Sequence, residues 1–372
     1  MEKKPKVSII LTSYNHEKFI RDAITSALNQ TFTDFELIIW DDHSTDNSWE
    51  IIQQFADPRI VAIQNPKNLR GGNIKRAIQT VAKGEYIAIH HSDDIWELEK
   101  LEKQVHCLDE HPEFAAVFTH VSLVDEEGMP FHEEGHHLLS TFDQPNRTRF
   151  EWLNYFFHNG NALCHPSVLI RREAYTTAIY RNGLTQFPDF DMWVQLCFQS
   201  EIHILQEKLV RFRIRAAKAN TSSDRPDVRV RMQFEYLKIL DQYRQISDTE
   251  ELLRIFPEAE PFTDNHIDSI LYPLGMISLK PGTNKPTQLF GLNLLFEALN
   301  HPELAEDLQT FQGFGKNEFV RMTAEHDVFS VESIRQINQQ LAELEKKPVH
   351  FVLGKIHNFL ERCRKSSSKN LE

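Results

Sequence analysis

Two pairs of adjacent carboxylates, Asp41-Asp42 and Asp93-Asp94, each close a short apolar run in the first hundred residues. At the end of a buried strand such neighbours repel each other and lose solvation, so a cation or several donors must compensate. A hard divalent ion does this well, because Mg²⁺ and Mn²⁺ prefer oxygen ligands and take one or two protein carboxylates together with substrate phosphates. Local structure is the competing role: Asp41 or Asp42 can turn the chain onto Ser44, and Asp93-Asp94 can cap a helix before Ile95-Trp96. One of Asp41 and Asp42 is expected to form the turn, with the other free to accept from a ligand. A third acidic segment, Phe187-Pro188-Asp189-Phe190-Asp191-Met192-Trp193, leads into a helix expected over 192–198, where the dipole favours carboxylates in any case.

Two further sets invite a ligand and are set aside. His132, His136 and His137 with Glu133 and Glu134 fall near Gly128 and Gly135 in a polar segment that reads as a solvated loop. Leu69-Arg70-Gly71-Gly72-Asn73 is glycine-rich but lacks the phosphate-loop lysine pattern.

The elements that must position the carboxylates alternate. Val7 to Leu11 is a β-branched run, and Phe19, Ile20, Ala23, Ile24, Ala27 and Leu28 recur at helical spacing over 17–30. Strands follow over 35–40, 60–64 and 86–90, with helices over 46–55, 73–82 and 98–108. Near-continuous apolar strands alternating with helices predict an α/β fold whose mainly parallel sheet is covered on both faces. Ligands of such sheets sit beyond the carboxyl ends of the strands. Thr12-Ser13-Tyr14-Asn15, Asp41-Asp42-His43-Ser44 and His91-Ser92-Asp93-Asp94 are therefore expected at one edge. After about residue 225 the pattern turns helical, with stretches over 228–246, 286–299 and 330–345.

The bulk numbers narrow the class. At 372 residues the chain exceeds one ordinary hydrophobic core, and its net charge of -13 argues against a nucleic-acid partner, whose phosphates need clustered Lys and Arg. Cys107, Cys164, Cys197 and Cys363 are scattered and read as reduced thiols. The apolar run at Val7–Leu11 is too short for a signal peptide and no later run spans a bilayer, so a cytoplasmic protein is expected.

Together these segments resemble family 2 glycosyltransferases of the GT-A fold, in the family's order and spacing. The likeness runs through Val7-Ser8-Ile9-Ile10-Leu11-Thr12-Ser13-Tyr14-Asn15, Ser26-Ala27-Leu28-Asn29-Gln30-Thr31-Phe32, Phe35 to Asp46, Gly84-Glu85-Tyr86-Ile87-Ala88 and Ser92-Asp93-Asp94. The resemblance implies an inverting sugar transfer from a nucleotide-diphosphate sugar, UDP- or dTDP-linked, to a hydroxyl of a glycan or lipid-linked acceptor. It implies that Thr12, Tyr14 and Asp42 hold the base, Asp93 the ribose, and Asp94 a Mn²⁺ or Mg²⁺ ion. It assigns Asp189 as general base, with Asp191 capping or orienting beside it, and offers His165, Asp191 and Trp193 as candidate donor or acceptor contacts. Arg215 stands where many members carry a histidine and, with Arg70 and Lys75, is a phosphate candidate. His91 stands where many members carry a further carboxylate; it and His90 point to opposite faces of their strand, and a packed role is expected for either.

The expected division is a glycosyltransferase domain over 1–225, its nucleotide half over 1–125 and its acceptor half over 126–225, followed by the helical region 226–372. Residues 349–365 place an apolar face among basic residues, which suits either peripheral contact at the inner face of the cell membrane or packing on that region. Two alternatives remain: a sugar-phosphate nucleotidyltransferase, which would want a glycine-rich basic loop where Thr12-Ser13-Tyr14-Asn15-His16 stands, and a non-catalytic sugar-binding assembly subunit.

Overall fold

The structure, a computed structural model, describes residues 4–132, 136, 138–215 and 225–345. The chain divides into two compact units, Met1–Gln242 and Tyr243–Glu372.

The first unit is built on one sheet of eight strands: β1 (Val7–Ser13), β2 (Phe35–Asp41), β3 (Ile60–Gln64), β4 (Tyr86–His91), β5 (Ile95–Trp96), β6 (Phe114–Val124), β7 (Leu169–Arg171) and β8 (Glu201–Arg213). Their order is β3-β2-β1-β4-β7-β6-β8-β5. The pairs β1/β2, β1/β4, β2/β3 and β6/β8 are parallel, whereas β7 runs antiparallel between β4 and β6. Central strands are buried on both faces, as their unbroken apolar sequences require: Val7, Ile9, Ile10 and Leu11 are fully buried, as are Leu37, Ile38 and Ile39. Helices Ile20–Leu28 and Lys100–Glu110 supply Ile20, Ala23, Ile24, Leu101, Val105 and Leu108 to the same core. Gly84 has a steric reason for its place, since a Cβ there would stand 2.4 Å from the backbone nitrogen of Ser8.

The expected strands and helices of the first hundred residues form, with ends shifted by a few residues. The helix expected from Met192 instead begins at Pro188, because proline is well suited to the first helical position and carries no amide to leave unpaired. The stretch expected as one helix over 228–246 is an α-helix over Pro226–Leu240 and a 3₁₀ turn over Asp241–Gln245. That α-helix belongs to the first unit.

The second unit is helical. Leu271–Ser278 packs on Lys285–Leu299, and Tyr272, Leu295, Ala298, Leu308 and Phe314 form its core. Gly291 lets the two helices approach, since a Cβ there would meet the Cβ of Ser278 at 2.6 Å. Residues 349–365, named above for membrane contact, lie outside the described residues.

Candidate active site

Register brings the polar tips together. Thr12 of β1 lies opposite Trp40 of β2 and His91 of β4, and Ser13 lies opposite Asp41. The loops after β1 and β2 are then stapled by side chains: the Asn15 amide donates to Ser44 Oγ at 2.9 Å, the Thr45 amide to Asn15 Oδ1 at 2.8 Å, and the Glu17 amide to Asp46 Oδ2 at 3.0 Å. Asn15, His43 and Arg70 all take left-handed backbone conformations, with φ of 52°, 64° and 56°. Such residues cost free energy and gather where a site dictates the backbone.

Asp41 forms the expected turn, accepting from the Ser44 amide at 2.9 Å and from its hydroxyl. Asp42 is not free, contrary to expectation. Its Oδ1 accepts from Asn65 Nδ2 at 2.6 Å and from the Leu69 amide at 2.9 Å, and its Oδ2 from the Arg70 amide at 3.0 Å. These bonds fix the Leu69–Arg70 turn, so any contact with a base would use the remaining capacity of Oδ2. Tyr14 is 43 % exposed and Thr12 partly so.

The acidic tip after β4 is asymmetric. Asp94 is 2 % exposed; its Oδ1 accepts from the Arg213 amide at 2.8 Å, while Oδ2 is buried with no hydrogen-bond partner among the described residues. Burial, and next the charge of Asp93, push the Asp94 carboxyl well above its usual range. His91, Asp93 and Asp94 each offer a ligand atom within 4.8 Å of the others, the one such cluster among the described residues. An orphaned carboxylate oxygen beside a second carboxylate is the donor set a hard divalent cation satisfies, so the residues fit one.

His90 and His91 separate as strand geometry demands. His90 is fully buried, stacked on Trp96 with ring centroids 4.2 Å apart and bonded near Ser26. His91 turns the other way, 33 % exposed, with Nδ1 3.7 Å from Asp94 Oδ2 and Nε2 3.3 Å from His165 Nδ1. The packed role thus describes His90, and His91 faces the tip.

His16 was not legible as a site residue. It bridges the β1 loop to the tip, with Nδ1 2.7 Å from Ser92 Oγ and Nε2 2.7 Å from Arg215 Nη1. The guanidinium can only donate, so Nε2 accepts, Nδ1 carries the proton and the ring is neutral. Burial holds its pKa below the usual histidine value, and the Arg215 charge adds to that against Asp93.

Across the sheet, Asp189 sits in the first turn of helix Pro188–Cys197, partly buried, with Asn161 Nδ2 donating to Oδ2 at 3.3 Å. Burial raises its carboxyl to about 6, partly offset by amides at the helix start and by Asn161. Burial, and next the charges of Asp94 and Asp189, push the Cys164 thiol well up. Glu235, fully buried on helix Pro226–Leu240, accepts the amides of Thr185, Gln186 and Phe187 at 2.8, 2.8 and 2.9 Å. It thereby fixes the entry to the Asp189 helix.

Two candidate contacts are corrected. Asp191 is fully buried in an ion pair with Arg181 and accepts from Gln195 Nε2 at 3.0 Å, so it anchors the helix and has no surface to offer a ligand. Trp193 is likewise fully buried, edge-on to Phe118 at 4.8 Å, a packing residue beneath His165. His165 remains at the tip beside His91. Lys75 donates to the Tyr180 carbonyl at 3.3 Å and Arg70 is exposed.

This arrangement is the GT-A fold: a mainly parallel sheet flanked by helices, with acidic tips at its carboxyl edge. Crystallised S. aureus TarS 1-349, in complex with UDP-GlcNAc, superposes with a TM-score of 0.51 at 19 % identity, covering 89 % of this chain and 92 % of that one, which shows the fold alone. The sequence profile of glycosyl transferase family 2 matches residues 8–177. An uncharacterized glycosyltransferase of Methanocaldococcus jannaschii is 30 % identical over 217 residues, 57 % of this chain and 71 % of that one. The chain belongs to glycosyl transferase family 2. A third relative, the Escherichia coli UDP-Glc:alpha-D-GlcNAc-diphosphoundecaprenol beta-1,3-glucosyltransferase WfaP, is 40 % identical over 103 residues, 28 % of this chain and 41 % of that one.

Proposed function

We propose that this glycosyltransferase takes a UDP- or dTDP-sugar donor, transfers its sugar with inversion to a hydroxyl of a glycan or lipid-linked acceptor, and uses Mn²⁺ or Mg²⁺ at the Asp93-Asp94 tip. The observation that carries the reading is Asp94 Oδ2, buried beside Asp93 and without a hydrogen-bond partner among the described residues. A divalent cation there would offset charge developing on the departing nucleotide diphosphate. Asp94 would bind it and Asp93 the ribose, with Thr12, Tyr14 and the remaining capacity of Asp42 Oδ2 for the base and Arg215, Arg70 and Lys75 as the cations offered to the phosphates.

Asp189 takes the acceptor proton. A neutral hydroxyl is a poor nucleophile, and a carboxyl raised to about 6 is ionised at neutral pH yet basic enough to accept a proton as the bond forms. Attack from the face opposite the leaving diphosphate inverts the anomeric centre. The UDP-linked donor and diphosphoundecaprenol acceptor in the name of the Escherichia coli relative support this substrate class. A lipid-linked acceptor would place the work at the inner face of the membrane; no described helix is long and apolar enough to cross one.

The test is nucleotide diphosphate release from a panel of UDP- and dTDP-sugars, with and without Mn²⁺, in wild type and Asp94→Asn. Release that needs neither the cation nor the Asp94 carboxylate would refute the reading.

A further inference from the structure

The tip differs from an all-carboxylate site in one respect: an imidazole faces it, and that imidazole has its own support. His91 Nε2 lies 3.3 Å from His165 Nδ1, and His165 Nε2 lies 2.9 Å from the Tyr180 hydroxyl. The His91 and His165 rings meet edge-on with centroids 5.2 Å apart, and His165 rests against the buried ring of Trp193 at 5.8 Å. Lys75 ties the Tyr180 backbone to the nucleotide half at 3.3 Å.

We propose that His91 supplies an imidazole ligand through Nδ1 to the cation of the Asp93-Asp94 tip, with His165 and Tyr180 as positioning residues, and that this selects Mn²⁺ over Mg²⁺. The inference rests on the tip being a metal site, as proposed above. The proton arrangement is self-consistent. A lone pair on His91 Nδ1 requires the proton on Nε2, which donates to His165 Nδ1; His165 then carries its proton on Nε2 and donates to Tyr180 Oη. Each ring is neutral, and each ring donor has one acceptor. A ligating histidine whose other nitrogen is so held has its tautomer and orientation fixed.

The opposite tautomer leaves the site worse off. His91 Nδ1 is 3.7 Å from Asp94 Oδ2, too long for a hydrogen bond, so a proton on Nδ1 would not satisfy the orphaned oxygen. A cation shared by the two atoms would. Mg²⁺ demands oxygen and near-ideal octahedral geometry, whereas a first-row transition ion accepts an imidazole among oxygens, and Mn²⁺ is the member most at home in a mainly oxygen shell.

Electron spin-echo spectroscopy of Mn²⁺ added to the full chain, alone and with UDP, reads the ligand without turnover. The expected result is nitrogen modulation on the bound ion in wild type and its loss in His91→Asp, where Mg²⁺ also competes better for the bound Mn²⁺. His165→Gln is expected to keep the modulation and to weaken Mn²⁺ binding about tenfold. Bound Mn²⁺ without nitrogen modulation in wild type, or modulation that survives in His91→Asp, overturns the proposal while leaving the tip a metal site. Wild type that binds no Mn²⁺, with or without UDP, overturns both. The wild-type spectrum decides even if the variants fold poorly.

Discussion

In the proposed role of base Asp189 would act only without its proton, and burial holds that proton to about pH 6. The rate constant kcat/KM should therefore fall as pH drops through about 6 and level off above it, as a pH series at saturating metal would show. Stability should run the other way. A carboxyl whose folded pKa lies above its unfolded value near 3.8 binds more protons when folded, so stability declines as pH rises from about 4 to 6 and stays lower above. Asp189→Asn removes that decline: the variant should melt higher than wild type at pH 7, relative to their difference at pH 4, while turnover falls about a hundredfold or more. A variant with unchanged turnover would remove Asp189 from the chemistry. At this scale the sequence discloses what is contiguous. Asp93-Asp94 and Asp189 announce themselves through neighbours in the chain, whereas His16 meets Arg215 199 residues away, and no local pattern reports such a partner. Asp191 and Trp193 share the acidic segment with Asp189, but Phe190 to Val194 are all buried, so this helix is covered on nearly every side and no apolar stripe in the sequence separates a packed face from a ligand face.

Among the elements, helix Pro226–Leu240 carries the least expected role. Glu235 gives three consecutive amides their acceptor just before the Asp189 helix. Glu235→Ala leaves these amides without that acceptor and should destabilise the first unit by about 2 kcal/mol, read from urea unfolding of the full chain. Glu235→Gln keeps one acceptor oxygen and should lose less; equal losses would show that packing, and not the amides, accounts for the effect. The strands and helices around the tips were legible because a buried parallel sheet writes itself as apolar runs ended by turn residues. Helix Pro226–Leu240 reads from sequence as the start of the helical region, because its buried carboxylate has partners some 50 residues earlier.

For the whole molecule, the boundary between compact units makes a clear expectation. A chain ending at Gln242 retains Glu235 and the Gln242 side chain that reaches Asp191, whereas one ending at Arg225 loses both. The longer fragment should show a cooperative melt and resist proteolysis within residues 179–198, and the shorter should be cut there; equal protection would show that the helix is dispensable to the domain.

The parallel pairing of β6 with β8 bears on how the protein is made. Phe114 finds its register partner Glu201 only 87 residues later, and β7 pairs with β6 at Ala116 and Val117 alone. At translation rates of ~5–20 residues per second, the β8-facing edge of β6 waits unpaired on the ribosome for on the order of ten seconds. Strand β6 of the nascent chain is thus the stretch that a holding chaperone would shield until β8 emerges.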